Sequence, residues 1–432
     1  MTSEPRLHGA APHDEAYVWI WLPGAIEPVV AGLLTRARDG RLTFNYGRSY
    51  LARTDAIAIY DPELPLRSGA IATSNRMTLP SCIRDGSPDA WGRRVIINRM
   101  TGLKAGEAGA VELDELTYLL ESGSDRIGML DFQLSPSGYV PRQGQNATLA
   151  ELMESADRVD RGIPLTPELD QALQHGSSLG GARPKALIDD GDRKYIAKFS
   201  AAGDLYNVVK AEYVAMRLAA RAGLAVAPVK LERALGKDVL LIERFDRTRF
   251  EAGWARRGVV SALTVLDLDE SEARYASYED LASVIRHRFG DPAATLMELF
   301  GRILFNILCG NTDDHARNHA AFWDGATLRL TPAYDICPQG RTGGEAAQAM
   351  LILGNRRLSQ VSLCLEAASV FLLDDRRARA IVAHQLATIT ADWDMVCAEA
   401  ALGEAERAFL WRRQFLNPFA LQGLPEDLLP GA

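Results

Sequence analysis

Seven apolar residues, Leu296, Leu299, Phe300, Ile303, Leu304, Ile307 and Leu308, recur at helical spacing and stop just before Gly310. That period predicts a buried helix with a glycine at its C-terminal cap. The pattern then turns polar through NTDDHARNHA and resumes as a short apolar run, Leu328 to Leu330, which reads as a strand leading to Pro332 and Asp335. A polar stretch held between two regular elements is how binding and catalytic loops are built.

Upstream, the runs YVWIWLPG from Tyr17, Val29 to Leu34, LTFNYG and AIAIYDPEL are separated by Gly, Asp and Pro. They predict short strands and a small β-rich unit over about residues 16–75. LPSCIRDGSPDAWGRRVIINRM reads as a loop entering an amphipathic helix, with Ser87, Pro88 and Asp89 as turn and cap residues and Trp91 packing where the helix begins. ELTYLLESGSDRIGMLDF follows as helix, turn and strand. Residues 136–150, rich in Pro, Gly and Asn, read as a linker. Helical patterns cover residues 149–161 and 166–174. HGSSLGGARPKALIDDGDRKYIAKFS then reads as a small-residue loop, a strand, a hairpin turn at 190–192 and a second strand. A helix over about residues 207–222 puts Val209, Tyr213, Met216 and Ala220 on one face and Glu212 near its start. VKLERAL and VLLIERFDR flank a turn at Gly236 and Lys237, and from Ser261 onward the chain reads as mostly helical.

With 432 residues the chain has room for two or three domains. The pattern divides it into a disordered leader (1–15), a β-rich region with helices (16–135), a linker (136–150), a second mixed region (151–246) and a helical region (247–432). Its 47% hydrophobic and 24% charged residues are those of a globular protein. The formal net charge of −8 argues against broad, sequence-independent nucleic-acid binding. Five scattered cysteines without C-x-x-C spacing point to reduced thiols and a cytoplasmic setting, and away from a structural zinc site. The first residues carry no apolar core of signal-peptide length, and no run of some 20 apolar residues predicts a membrane span.

Chemistry concentrates in the polar stretch. Asp313 stands five positions before Asn318, and Asp335 closes the following apolar run. Phosphoryl transfer needs one group to orient and deprotonate a hydroxyl, and hard oxygen ligands for the magnesium that accompanies ATP. A carboxylate plus an Asn and a second carboxylate supply that set, although Asp and Asn are also ordinary loop and cap residues. The loop from Ser177 to Lys185 has glycines that let backbone N–H groups approach phosphate, or simply turn a hairpin. It lacks the Walker spacing. Lys198, on a strand, needs a partner, and Glu212 on the next helix is a candidate; a solvated surface Glu is the alternative. Glu243, Arg244 and Phe245 end an apolar strand where a nucleotide-binding fold would place its adenine contact, though Phe245 also suits plain core.

SSLGGARPK, YIAKF, the Glu212 helix, LLIERFDR, FNILCGNTDDHARNHA and LTPAYDICP occur in that order. Taken together this resembles the HipA family of bacterial serine/threonine kinases, toxins of HipBA-type toxin–antitoxin pairs. The N-terminal region is similar too, in the pattern from Gly32 and in LPSCIRDGSPDAWGRR and SGSDRIGMLDF, so the likeness spans roughly residues 17–420. The resemblance implies an α+β, two-lobed protein-kinase-like fold with a β-rich N-terminal subdomain and an all-helical C-lobe. It implies Asp313 as catalytic base, Asn318 and Asp335 as magnesium ligands, Lys198 on the ATP phosphates, and Glu243, Arg244 and Phe245 against adenine. The loop carrying Ser178, Gly180, Ala182, Gly181 and Lys185 would cover the nucleotide. Ser178, with Ser177 beside it, would be autophosphorylated, which in the family ejects the loop and inactivates the enzyme. Pro184 removes one N–H donor from that loop, and Asp314 stands beside Asp313 as a second carboxylate. The five-residue offset to Asn318 favours Asp313, with His315 as a brace. The implied cofactors are ATP and Mg²⁺. The implied partners are a HipB-like helix-turn-helix antitoxin, DNA only through that antitoxin, and a protein substrate, the family's targets including aminoacyl-tRNA synthetases. A small-molecule kinase on the same fold, or an inactive nucleotide-binding partner of a repressor complex, are the competing readings.

Overall fold

The computed structural model describes residues 13–73, 77–101, 113–142, 147–163, 165, 166, 169, 183–201, 203–341 and 343–429. The chain forms two compact units. The first comprises Met1–Gly203, Arg233–Val239 and Asp246–Val259; the second comprises Asp204–Glu232, Leu240–Phe245 and Val260–Ala432.

In the first unit, strands β1 (Glu15–Ile20), β2 (Val29–Arg36), β3 (Leu42–Tyr46), β4 (Ile71–Ala72) and β5 (Leu130–Gln133) form one antiparallel sheet in the order β4-β3-β2-β1-β5. Gly32 lets β2 lie close to β3, since a Cβ there would come within 2.2 Å of the Asn45 carbonyl oxygen. The expected strand AIAIYDPEL is not one. Its segment turns at Tyr60, leaving a single bridge from Tyr60 to Leu64. The Tyr46 hydroxyl replaces the ladder, accepting from the Ile59 N–H at 2.9 Å and donating to the Leu64 carbonyl at 2.7 Å. Pro62 sits in that turn and has no N–H to give a strand.

Helices α1 (Ala90–Thr101), α2 (Glu115–Glu121) and α3 (Leu149–Asp160) follow the pattern closely. Asp114 caps α2, accepting from the Leu116 and Thr117 amides, and a Thr148–Glu151 capping box opens α3. Trp91 is fully buried and its indole N–H reaches the Lys185 carbonyl at 3.1 Å. Part of the expected linker is instead pinned. Tyr139 donates to Asp131 at 2.9 Å and lies against Trp19 and Trp21, while Arg142 pairs with Asp131 at 2.8 Å. Strands β6 (Lys185–Asp189) and β7 (Lys194–Phe199) form the expected hairpin, with Lys185 opposite Lys198. The predicted helix over 166–174 lies largely outside the described residues.

Helix α4 (Val208–Arg221) belongs to the second unit, and the residues of strands β8 (Val229–Ala234) and β9 (Lys237–Glu243) divide between the two units. The buried face of α4 is wider than expected: Glu212 is buried with Val209 and Met216, whereas Ala220 is exposed. The hairpin of β10 (Arg247–Phe250) and β11 (Gly253–Arg256) falls in the first unit and leads to β12 (Gly258–Ser261). The second unit continues through α5 (Tyr278–Arg288), α6 (Pro292–Cys309), α7 (Val361–Glu366), α8 (Asp375–Glu399) and α9 (Glu404–Leu410). It is not wholly helical. Strands β13 (Ala320–Trp323) and β14 (Leu328–Leu330) pair antiparallel within it. Helix α6 has Asp291 at its N-cap, Pro292 in its first turn and Gly310 at φ 75° as its C-cap. It matches a membrane span in length and mean hydropathy, 1.3, yet 67% of that window is buried, and its Leu, Ile and Phe side chains form the core of this unit.

The first unit also buries a charge. Arg126 is fully buried and donates to Asp131 at 2.9 Å and to the Gly86 carbonyl. Burial works against the Asp131 charge, but Arg126 and Arg142 hold its carboxyl below the usual range. Asp131→Ala strands that guanidinium, so thermal or urea unfolding is expected to show a loss of ~3–5 kcal/mol.

Candidate functional site in the second unit

The polar loop after α6 is built by geometry that its sequence requires. Gly310 turns the chain in the left-handed region, and a Cβ there would sit 2.8 Å from the Gln414 carbonyl oxygen. Asn311 then uses its amide twice, donating to Asn306 Oδ1 at 3.0 Å and to the Asp335 carbonyl at 3.3 Å. The loop is thereby stitched to the segment that arrives from β14. That segment is itself fixed from behind: the Ala333 N–H donates to the Ala225 carbonyl at 2.7 Å, and Arg302 reaches the Ala225 and Thr331 carbonyls.

The two adjacent aspartates have opposite environments. Asp314 is buried, accepting from the Tyr278 hydroxyl and from His319 Nε2 at 3.0 Å. Burial opposes its charge, but His319 and Tyr278 hold the Asp314 carboxyl below the ordinary value. Buried and held through Oδ2 by both donors, it braces the loop. Asp313 is exposed. Partial desolvation pushes its pKa up, the Asp335 and Asp314 carboxylates add to that, and His315 acts in the other direction. Bracing falls to His319 and Tyr278 and not to the expected His315, whose Nδ1 is buried without a hydrogen bond among the described residues. No local motif marks Tyr278, 36 positions before Asp314.

Asn318 ends a single 3-10 turn, Ala316–Asn318. Its amide N–H donates to the Asp313 carbonyl at 3.2 Å, so the oxygen is the end that a cation would use. Asp335 takes φ 59°, a left-handed conformation costly for a residue with a side chain. Tyr334 anchors it by donating to the Arg317 carbonyl at 2.7 Å. Asp313, Asn318 and Asp335 are thus drawn around one loop of one unit. The donor set is hard oxygen, and a divalent cation would relieve the repulsion that the Asp335 carboxylate exerts on Asp313, so the residues fit magnesium.

Phe245 lies in the same unit, its ring 5.6 Å from Tyr334 and 5.7 Å from Phe322. Glu243 is half-buried, its N–H donating to the Pro228 carbonyl at 2.8 Å, and Arg244 is buried. Glu212, 2% exposed, is no surface residue. Lys198 belongs to the first unit and is 8% exposed. Lys185, across the strand pair, is buried and faces Asp89 at 3.6 Å. Ser177, Ser178, Gly180, Gly181 and Ala182 lie outside the described residues.

The sequence model of the HipA-like C-terminal domain matches residues 177–393, and that of the HipA N-terminal domain matches residues 22–133. The chain belongs to the HipA family. A relative named "Putative kinase Y4mE", from Sinorhizobium fredii, is 28% identical over 345 residues, which cover 73% of this chain and 76% of its own. The serine/threonine-protein kinase toxin HipA of Shewanella oneidensis is 27% identical over 158 residues, 33% of this chain and 36% of that protein. The structure of Shewanella oneidensis HipA in complex with HipB and its operator DNA superposes at a TM-score of 0.66 with 19% identity, covering 92% of this chain and 95% of that one. The kinase-like, α+β fold of the family is therefore shared by this HipA-family chain.

The Asp314 contacts give a stability test. A carboxyl whose folded pKa is depressed stabilises the fold above its unfolded value, here 3.8, and that contribution is lost as pH falls through the folded pKa. Tyr278→Phe is expected to lower unfolding free energy at neutral pH by about 1.5–3 kcal/mol. In urea titrations across pH, the gap to the wild type should close below pH 3.8 as Asp314 takes up its proton.

Proposed function

We propose that the chain is an ATP- and Mg²⁺-dependent protein serine/threonine kinase acting in the cytoplasm. The observation that supports it best is the division of labour between the paired aspartates: Asp314 is locked by Tyr278 and His319, while Asp313 stays exposed beside Asp335 and below Asn318. An exposed carboxylate with a raised pKa is suited to orient a serine hydroxyl and take its proton as the new O–P bond forms and the bond to the ADP oxygen breaks. Asn318 and Asp335 would hold magnesium. The cation would supply neutralisation of the phosphate charge. Lys198 would face the phosphates, Glu243 to Phe245 the adenine, and the loop from Ser178 to Lys185 would cover them. Self-phosphorylation at Ser178 would place about −1.5 to −2 of charge beside the nucleotide and so inactivate the enzyme. The partner in this reading is a HipB-like helix-turn-helix antitoxin, with DNA bound through it. The substrate is a protein, an aminoacyl-tRNA synthetase being the class the family resemblance implies, and growth inhibition is the consequence.

Incubation of the protein with γ-labelled ATP and cell extract is expected to label a protein band. Asp313→Asn should reduce that label by about 10²–10⁴-fold while nucleotide still binds. Label confined to the small-molecule fraction would instead indicate a metabolite kinase, and growth inhibition undiminished by Asp313→Asn would indicate a binding module.

A further inference from the structure

Among the side chains of the second unit that have buried atoms with no hydrogen-bond partner among the described residues, Arg341, Gln414 and Gln348 attach to one short stretch of chain, residues 309–312. Arg341 has all three guanidinium nitrogens sealed and unpartnered. It lies two residues beyond Gln339, whose N–H donates to the Gly310 carbonyl at 3.0 Å, and its charge acts on the buried Cys309 thiol. Gln414 is fully buried with both amide atoms unpartnered, and its backbone packs on Gly310. Gln348 is 2% exposed; its amide nitrogen reaches Ser359 at 3.5 Å but its oxygen has no partner, and the next N–H, of Ala349, donates to the Thr312 carbonyl at 3.0 Å.

An arginine cannot escape such a position by losing its proton, so a buried guanidinium with five idle donors calls for an anion. The nearest acidic residue in sequence, Glu345, is exposed and makes no pair with it. A carboxylate would satisfy the guanidinium fork alone. A phosphate has further oxygens for an amide N–H such as that of Gln414. Gly343 and Gly344, two and three residues beyond Arg341, are exposed, with open space where a side chain would stand.

We propose that Arg341, with the buried amides of Gln414 and Gln348, forms a receptor for a phosphate monoester or free phosphate behind the catalytic loop. The binding claim stands on these side chains alone; only its consequence, a shift in the Asp313 loop through Gly310 and Thr312, rests on the kinase reading. The ligand is a dianionic phosphate, free or carried on a phosphorylated residue.

Isothermal titration of the full-length protein, with ADP present at saturation to occupy the candidate nucleotide site, separates the sources. The probes are inorganic phosphate, N-acetyl-O-phosphoserine methylamide and, as a blank, N-acetylserine methylamide. One binding event is expected, weakened about tenfold or more by Arg341→Met and partly restored by Arg341→Lys. Tighter binding of inorganic phosphate assigns a free-ion site; tighter binding of the phosphoserine assigns a site for a phosphorylated chain. Without ligand, Arg341→Met should melt at or above the wild-type temperature, because it removes an uncompensated buried charge. Equal affinity in wild type and Arg341→Met, or no binding with ordered water on the guanidinium, overturns the proposal. Should Arg341→Met fail to fold, a tungstate soak of wild-type crystals reads the same point: anomalous density at the guanidinium supports the site, and density only elsewhere overturns it.

Discussion

The buried carboxylate of Asp314 is the constraint on which the loop depends. A charge removed from water must be met by donors of fixed position, and here those donors come from α5, through Tyr278, and from the far end of the loop itself, through His319. Once Asp314 is held, its neighbour has only one direction left to take. Asp313 faces outward because Asp314 faces inward, and the backbone between Asp313 and Asn318 closes on the 3-10 turn that begins at Ala316.

The same logic extends behind the loop. Asn311 joins the end of α6 to Asp335, Arg302 holds the carbonyls of Ala225 and Thr331, and Tyr334 fixes the carbonyl of Arg317. Each polar group is satisfied by a partner distant in the chain, so the strained φ of Asp335 is set from several sides at once. Among the described residues, Arg341 differs from these groups in leaving all three guanidinium nitrogens without a partner, and Gln414 in leaving both amide atoms so.

The first unit uses buried charge differently. Arg126 and Asp131 tie the turn before β5 to the sheet, and Arg142 and Tyr139 bring the following segment down onto the same carboxylate. A stretch whose composition reads as a linker is ordered there because a buried aspartate has acceptor positions to fill. Composition reports how much apolar surface a segment can bury, and says nothing of a partner waiting elsewhere.

By itself the sequence determined what depends on local period and local chemistry. The apolar spacing of α6 and its Gly310 cap, the β6–β7 hairpin, the turn at Gly236, and the ordered motifs that mark the HipA family are all legible without coordinates. Only the tertiary structure decided which of two neighbouring aspartates is buried, that Tyr278 and His319 rather than His315 hold it, that Glu212 lies inside, and that Tyr46 replaces a strand ladder near Ile59. The physical reason is that hydrogen bonds and desolvation are settled between residues tens of positions apart, where neither periodicity nor motif spacing carries information.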